Sequence, residues 1–303
     1  MKSALSIGAI GEVSYEPVSD RSKGFLSDMH TSISAIADAL SSVAAGHREG
    51  SRLSIRLPIA DNVSIPLASC VSVPWKDGAV LSCEAFIPVG RRGLGGIMYF
   101  GANASSRQTS HSILIEEWKL LDCLTGAPRT YREEPRGFCF ESLECPSHED
   151  IHQLMSLYAA SYQRYMTDFS PGSIRMMIAD NEVSLARNGE GTIVAVTQAE
   201  AVSVGIGGMD WILIELSDTA TLPEYRSIGL SQLCKLRLVN ARRSETAIIY
   251  TESRANHAGV LRSNWNVGME SVGRLEAHCL MSSHAEEVPQ IGGYANLFVF
   301  ALQ

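Results

Sequence analysis

The sequence predicts a mixed α/β (α+β) fold, in which helices flank a mixed β-sheet and a smaller α/β domain precedes it. Strand-like and helix-like apolar patterns alternate through the second half of the chain. TAIIYT at 246–251 is a short β-branched apolar run between two helical patterns, which is typical of a buried strand. TGAPRTYREEPRG at 125–137 is rich in proline, glycine and charge, and predicts a linker between domains at 1–136 and 137–303.

The first domain has the less regular pattern. Its first 30 residues show no clear period, and 62–73 has only a weak preference for strand. The elements predicted there are a helix at 29–45, strands at 52–59, 84–89 and 96–100, and a short helix at 116–124. The glycine-rich RRGLGG at 91–96 precedes β-favouring residues, so we interpret it as a turn between strands.

In the second domain, apolar residues recur with a clear helix or strand period throughout. Pro146 and Ser147, followed by acidic residues, predict the start of a helix. The predicted elements are a strand at 138–144, helices at 150–164 and 173–179, strands at 182–186, 192–204 and 210–216, a helix at 227–243, a strand at 246–251, a helix at 258–266, and strands at 269–281 and 294–302.

Composition excludes several classes of protein. The 303 residues are 45% hydrophobic and 19% charged, as in globular proteins. A net charge of −8 is unlike a nucleic-acid-binding surface, and no apolar run reaches the roughly 18 residues that span a membrane. The start of the chain carries no signal-peptide pattern. Seven cysteines without a C-x-x-C pair, together with scattered histidines, predict reduced thiols in a cytoplasmic protein and no metal site.

The segment 214–243 carries the most informative motif. A strand leads through a short turn into Arg226-Ser-Ile-Gly229-Leu-Ser231 at the start of a helix. The N–H groups of a first helical turn have no partner within the helix and attract anions. Gly229 allows close approach to the backbone, and Arg226 adds a positive charge. A pyrophosphate group is the ligand that suits this arrangement.

This loop resembles the CoA-binding loop of the GNAT superfamily of N-acetyltransferases, written Q/R-x-x-G-x-G/A. ELSDTATLPEYRSIGL at 215–230 and SRANHAGVLRSNWNVGMESVGRLEAHC at 253–279 are similar, more narrowly, to the patterns of β-lysine N-acetyltransferases. The resemblance covers 150–303 and is fainter before it. It implies a GNAT-like second domain, a first domain that is a degenerate half-copy of that fold, and acetyl-CoA as co-substrate. The implied CoA-binding residues are Ala220, Thr221, Leu222, Arg226, Ser227, Ile228, Gly229, Leu230 and Ser231.

Several positions depart from the family pattern. Ser227 replaces a loop glycine, Thr219 replaces a cysteine, and Ala277-His278 replaces a pair of asparagines. Asn264 stands where the family usually has the aromatic residue that acts as general acid. These changes leave the CoA loop mostly intact and bear on the acceptor and the acid.

Acyl transfer to an amine needs a base, a polarised carbonyl and a proton for the leaving thiolate. Resemblance to histone acetyltransferases of the superfamily implies Glu215 as the base, with Asp218 and then Glu200 as alternatives. Tyr250 and His257 are the candidate acids, and water is a further proton source. Backbone N–H groups near 220–222 are the candidates for stabilising the oxyanion.

The resemblance implies a small acceptor with two amines, such as a β-lysine-like amino acid. Arg254 and Arg274 are candidates for binding its carboxylate, although structural salt bridges would explain both equally. Tyr165 and Trp265 are candidates for its amine pocket. Two alternatives remain open: a non-catalytic acyl-CoA sensor or partner-binding module, and an N-acyltransferase with a longer acyl donor. A homo-oligomer also stays open.

Overall fold

The computed structural model describes residues 4–6, 12–26, 32–47, 49–59, 71–89, 95–166, 168–206, 208–283 and 293–302. Helices flank a mixed sheet of fourteen strands, which confirms the predicted fold class. In these ranges no helix is both long and apolar enough to cross a membrane. The helices are α1 (Ile33–Gly46), α2 (His111–Thr125), α3 (His148–Ser161), α4 (Pro171–Asp180), α5 (Leu230–Arg242) and α6 (Ala258–Val267).

The strands follow one another along the chain as follows. They are β1 (Ala4–Ser6), β2 (Glu12–Glu16), β3 (Arg21–Phe25), β4 (Arg52–Ile59), β5 (Val73–Pro74), β6 (Val80–Pro88), β7 (Gly96–Asn103), β8 (Phe138–Ser142), β9 (Tyr162–Arg164), β10 (Glu182–Asn188), β11 (Ile193–Ile206), β12 (Met209–Thr221), β13 (Ala247–Arg254), β14 (Met269–Leu280), β15 (Ser282–Ser283) and β16 (Tyr294–Leu302). Across the main sheet the order is β1-β2-β3-β4-β7-β6-β14-β16-β13-β12-β11-β10-β8, and the fourteenth strand, β5, pairs with β6 outside this order.

The elements predicted in the second domain are confirmed to within about three residues at each end, apart from β12, which was predicted to end at residue 216 and continues to Thr221. A capping box between Ser147 and Asp150 fixes the start of α3, and Ser170 caps α4 ahead of Pro171. The absence of a period in the first 30 residues was misleading, because β1, β2 and β3 lie there. Residues 60–70 and 90–94, which include most of the weak strand pattern and of the RRGLGG turn, lie outside the described residues.

The two halves of the sheet repeat one arrangement. In the first, β2 and β3 are antiparallel, α1 leads to the parallel strand β4, and β7 lies between β4 and β6. In the second, β11 and β12 are antiparallel, α5 leads to the parallel strand β13, and β16 lies between β13 and β14. This repetition agrees with the implied half-copy of the fold.

The halves meet where β6 pairs with β14. Gly273 lies opposite Ala85 with a φ of 157°, and a Cβ there would come within 2.4 Å of the Cα of Ala85. One apolar cluster spans this seam, with Ile97 and Tyr99 from the first half packed among Leu297 and Val299 from the second. The boundary near residue 136 therefore stays a prediction, because the sheet and this core run across both halves.

Candidate functional site

A cavity of about 580 Å³ opens where β12 and β13 separate. The two strands pair at four positions, from Ile212 with Ala247 to Glu215 with Tyr250, although both strands continue beyond the last pair. Beyond Glu215 the two strands therefore form the two sides of a wedge. The volume lies in the range typical of small-molecule sites.

The N-terminus of α5 forms one end of the cavity. Gly229, the residue before the helix, has a φ of 91° and has no side chain with which to cap the first turn. Ser227 also has a positive φ, 69°, so the loop turns sharply back toward the cavity. Arg226 lines the cavity and donates from Nε to the carbonyl of Thr221 at 3.3 Å. Free N–H groups, the helix dipole and a guanidinium thus favour an anion here.

The linker at 125–137 lies against this end of the cavity. The N–H of Thr130 donates to Asn266 Oδ1 at 2.9 Å, and its carbonyl accepts from Gln232 Nε2 at 2.9 Å. Trp265 Nε1 donates to the carbonyl of Ala127. The linker therefore crosses between α5 and α6. It also brings the side chain of Arg132 to within 2.4 Å of where a Cβ on Gly229 would lie.

Asp218 is a further residue that lines the cavity. It lies at a bulge of β12 with a φ of 45°. Its carboxylate accepts hydrogen bonds from Tyr165 Oη and, at 2.5 Å, from Gln198 Nε2. Burial raises the pKa of the Asp218 carboxyl to about 7, and the nearby charge of Glu200 raises that pKa further. Asp218 can therefore exchange a proton near neutral pH.

An aromatic cluster forms the wall beside Asp218. Tyr162 and Tyr165 have ring centroids 4.3 Å apart, and Phe169 stacks 5.0 Å from Tyr165 and 4.0 Å from Tyr158. Tyr162 and Tyr165 line the cavity together with Glu252, whose side chain is 7% exposed. Aromatic faces and carboxylates together are an environment that favours a cationic ligand.

A buried polar network joins the two halves next to the cavity. Arg56 of β4 donates from Nη1 to Tyr250 Oη at 2.5 Å, and Tyr250 donates to Glu215 Oε2 at 2.6 Å. The Arg56 guanidinium also lies 3.7 Å from Glu215 and 3.9 Å from Glu252. Burial raises the pKa of Glu215, and the charge of Glu252 raises it as well. Glu215 and Tyr250 are thus hydrogen-bonded to each other and do not line the cavity.

His257 lies at the start of α6 and lines the cavity. Its Nδ1 accepts from the N–H of Val260 at 3.4 Å, so the ring caps the helix. Burial lowers the pKa of His257 to about 4, and the charge of Arg254 lowers it further. The imidazole is therefore neutral at pH 7 and carries its proton on Nε2.

The chain is similar to solved N-acetyltransferases. NAA60 of Arabidopsis thaliana with a bisubstrate analogue gives a TM-score of 0.43 at 12% identity, covering 55% of this chain and 98% of that one. The ribosomal-protein-S18-alanine N-acetyltransferase of Escherichia coli gives a TM-score of 0.40 at 14% identity, covering 55% of this chain and 92% of that one. A GNAT family acetyltransferase of Elizabethkingia anophelis with acetyl-CoA bound gives a TM-score of 0.37 at 11% identity, covering 56% of this chain and 99% of that one. No protein-family model and no curated protein sequence matches.

The cavity brings most of the predicted site residues together. Those that line it are Ala220, Thr221, Arg226, Ser227, Gly229, Leu230 and Ser231 of the CoA set, Asp218 and His257 of the catalytic set, and Tyr165 and Arg254 of the substrate set. Leu222, Ile228, Glu215, Tyr250, Trp265 and Arg274 do not line it. The N–H of Leu222 donates to the carbonyl of Val194, so it is not free to stabilise an oxyanion. Arg274 pairs with Glu276 at 2.9 Å in a second cavity at the seam.

Sequence reasoning missed several residues that line the cavity. Arg132 lies in the linker, and Glu252 lies two residues after the predicted acid Tyr250. Neither position carries a signal in the sequence, because each depends on contacts between distant segments. Lys235 does carry one. Lys235 lies four residues before Val239, so the two share the buried face of α5. A lysine is almost never fully buried unless it is paired, so its place in the apolar period is the signal.

Proposed function

We propose that this chain is an N-acyltransferase that transfers an acetyl group from acetyl-CoA to a small amine. The observation that carries the proposal is a single cavity that joins an anion-binding helix N-terminus to a titratable carboxyl. Arg226, Gly229 and Asp218 all line it, together with residues of the separated strands β12 and β13. The diphosphate of acetyl-CoA requires the helix N-terminus, and its thioester requires a nearby proton acceptor.

The loop fits the diphosphate of CoA by a steric criterion. The absence of a Cβ on Gly229 lets the flexible Arg132 side chain approach, with its Cδ 2.4 Å from where a Cβ would lie, and a bound diphosphate would displace that side chain. Arg226 and Arg132 supply two guanidinium groups, which bind phosphate oxygens in pairs. Leu230 and Ser231 supply N–H groups of the first helical turn.

Asp218 is the general base in this proposal. Amines are protonated in water, and the attacking nitrogen must lose a proton to become a nucleophile. A carboxyl with a pKa of about 7 is half ionised at neutral pH, so it accepts that proton. Tyr165 and Gln198 hold the carboxylate in place through their hydrogen bonds. The amine nitrogen then attacks the thioester carbonyl, and the C–S bond breaks.

The acceptor in this proposal is an amine that carries a second positive charge, as β-lysine does. Asp218 and Glu252 place two carboxyl groups in the wall of the cavity, and Tyr162 and Tyr165 add aromatic faces. The Arg254 guanidinium lies 5.8 Å from the Tyr162 ring and lines the same cavity, where it can pair with a carboxylate of the acceptor.

Calorimetric titration with acetyl-CoA tests the proposal. Wild type should bind in the micromolar range, and Gly229→Trp should abolish binding because the indole fills the anion site. Gly191→Trp is the matched control, since Gly191 also has a positive φ, 83°, but faces open space in a turn. A panel of lysine, β-lysine, diamines and peptide N-termini then identifies the acceptor by release of free CoA.

Each outcome of that titration is informative. Turnover of a diamine establishes both chemistry and acceptor class. Binding of acetyl-CoA without turnover of any amine favours an acyl-CoA sensor, and binding of longer acyl-CoAs alone favours a different donor. A folded wild type that binds no acyl-CoA contradicts the proposal.

A further inference from the structure

Lys235 of α5 is a buried cation in the wall of the cavity. The residue is 0% exposed, and it lines the same volume as Asp218. Its Nζ donates to Asn264 Oδ1 at 2.5 Å. Among the described residues, no carboxylate is found within ion-pair distance of this nitrogen. An ammonium group has three hydrogens to donate, and among the described residues the amide oxygen of Asn264 accepts one of them.

A buried ammonium without a counter-charge is costly. Burial favours the neutral amine, and it lowers the pKa of Lys235 to about 7. The titratable group that faces it from α6 is the neutral His257, and the polar groups that face it are Asn264 and Ser263. Such an arrangement persists where function uses it, because replacement by an apolar side chain would be more stable.

A chain of hydrogen bonds connects Lys235 with the point where the strands separate. Asn264 Nδ2 donates to Ser253 Oγ at 2.9 Å, and Ser253 Oγ lies 3.4 Å from Thr251 Oγ1. Thr251 Oγ1 donates to the carbonyl of Leu216 at 2.7 Å, one residue after the last pair of β12 with β13. Through this chain Lys235 is linked to the edge of the wedge, where a thioester between the strands would react in the proposed function.

The two acids predicted from the sequence are less suited to that place. The Tyr250 hydroxyl donates to Glu215, accepts from Arg56, and does not line the cavity. His257 lines the cavity but is neutral at pH 7, so its ring offers only a weakly acidic N–H. Lys235 offers a proton on a cation.

We propose that Lys235 is the catalytic residue that stabilises and then protonates the departing thiolate. As the C–N bond to the amine forms, the C–S bond breaks and its electron pair stays on sulfur. Sulfur takes a proton from the Lys235 ammonium, which becomes a neutral amine and regains a proton from water. The proton lost by the acceptor goes to Asp218. This role rests on the proposed function.

The test compares Lys235→Met, Lys235→Arg and the control Lys119→Met, whose lysine is exposed on α2. The first readout is kcat with acetyl-CoA and the best acceptor of the panel. Lys235→Met should lower kcat by about a hundredfold, the lower end of general acid catalysis. The Kd for acetyl-CoA should stay within about threefold of wild type, because the uncharged thioester gains little from the ammonium.

The second readout needs no acceptor. The thiol of bound CoA is titrated through the ultraviolet absorbance of its thiolate. In wild type the thiolate favours the charged form of the Lys235 amine, and in Lys235→Arg the charge is permanent, so both should lower the thiol pKa. Lys235→Met should raise it by at least about one unit relative to wild type. Lys235→Arg should nevertheless stay slow in turnover, because a guanidinium does not release its proton.

Two results would overturn the role of Lys235 while leaving the proposed function intact. One is Lys235→Met turnover equal to that of wild type. The other is an unchanged thiol pKa for CoA bound to that variant. If folded wild type binds no acyl-CoA at all, the proposed function and the role of Lys235 fall together, and the calorimetric titration shows which case holds.

Discussion

The parallel strand pairs of the two halves differ in one respect that decides where a ligand can bind. In the first half, β3 and β4 pair at five positions from Arg21 with Arg52 to Phe25 with Arg56, and the N–H of Leu26 continues the ladder to Arg56. In the second half, β12 and β13 stop pairing after Glu215 while both strands continue. Within the described residues, the first parallel pair is therefore hydrogen-bonded to the end of β3, whereas the second opens into a wedge.

The helices that connect these strand pairs, α1 and α5, differ in whether a side chain caps their first turn. Ser32 caps α1 by accepting from the N–H of Ala35 at 3.1 Å, which satisfies a donor of the first turn. Gly229 precedes α5 and offers no such acceptor. A cap stabilises a helix but occupies the groups that would bind an anion. In the proposed function, binding of acetyl-CoA depends on both differences: the strands stop pairing, and the helix lacks a side-chain cap.

The largest expected effect comes from removing the proposed base, Asp218, from the open wedge. Asp218→Asn should lower kcat by about 10²- to 10⁴-fold with the Kd for acetyl-CoA unchanged. In wild type, kcat/KM should fall as pH drops below about 7, because Asp218 is then protonated. Steady-state kinetics across pH measure both effects. Asp210→Asn, at the exposed start of the same strand, is the control, and a fully active Asp218→Asn would exclude this base.

The next contrast is between two buried cations, Lys235 in the second half and Arg52 in the first, and concerns stability. Lys235→Met should stabilise the protein by a few kcal/mol at neutral pH, since it removes an unpaired buried charge. The folded state holds Lys235 at a pKa of about 7 against 10.5 in the unfolded chain, so wild type gains stability as pH rises between these values. The advantage of the variant should be full below pH 7 and fade toward 10.5. Thermal unfolding across pH measures it.

The matched substitution in the first half should have the opposite sign. Arg52 is also 0% exposed, but its Nη2 pairs with Glu84 Oε2 at 2.5 Å. Arg52→Met leaves Glu84 without its partner and should destabilise the protein by about 3–5 kcal/mol. If both variants changed the free energy of unfolding in the same direction, the distinction between a paired and an unpaired buried cation would be wrong.

A smaller effect should come from the linker. Arg132→Gln should weaken acetyl-CoA binding by about tenfold, or ~1.4 kcal/mol, if its guanidinium contacts phosphate. Affinity for pantetheine, which lacks the diphosphate, should not change. Arg136→Gln is the control, because Arg136 is exposed on the same linker and does not line the cavity. Equal weakening by both variants would point to general surface charge.

The smallest effect should appear in the closed half. Ser32→Ala removes the cap of α1 and should cost about 1 kcal/mol, which lowers the Tm by roughly 2–4 °C. Acetyl-CoA binding should be unaffected, since α1 does not line the cavity. A changed Kd measured by calorimetry would show that the first half contributes to binding through its own helix.

The sequence predicts elements where burial follows a period and fails where ion pairs replace it. RSKGF became β3 although Arg21 and Ser22 are buried, because Arg21 pairs with Glu16 at 2.5 Å and donates to the carbonyl of His278 at 3.4 Å. Glu16 belongs to the neighbouring strand β2 and His278 is distant in sequence, so the apolar period that marks a strand is missing here. The loop of Arg226 and Gly229 was predictable because its function depends on neighbours along the chain. Glu252 and Arg132 join the cavity only through the tertiary fold.

The seam between β6 and β14 has a consequence for synthesis of the chain. Strand β6 ends at Pro88, whereas its partner strand β14 begins only at Met269. While ribosomes extend the chain, the first half therefore presents an unpaired edge through most of translation. Such edges favour pairing with other nascent chains. Polysomes that carry this message should accordingly depend on chaperones until the residues of β14 have left the exit tunnel.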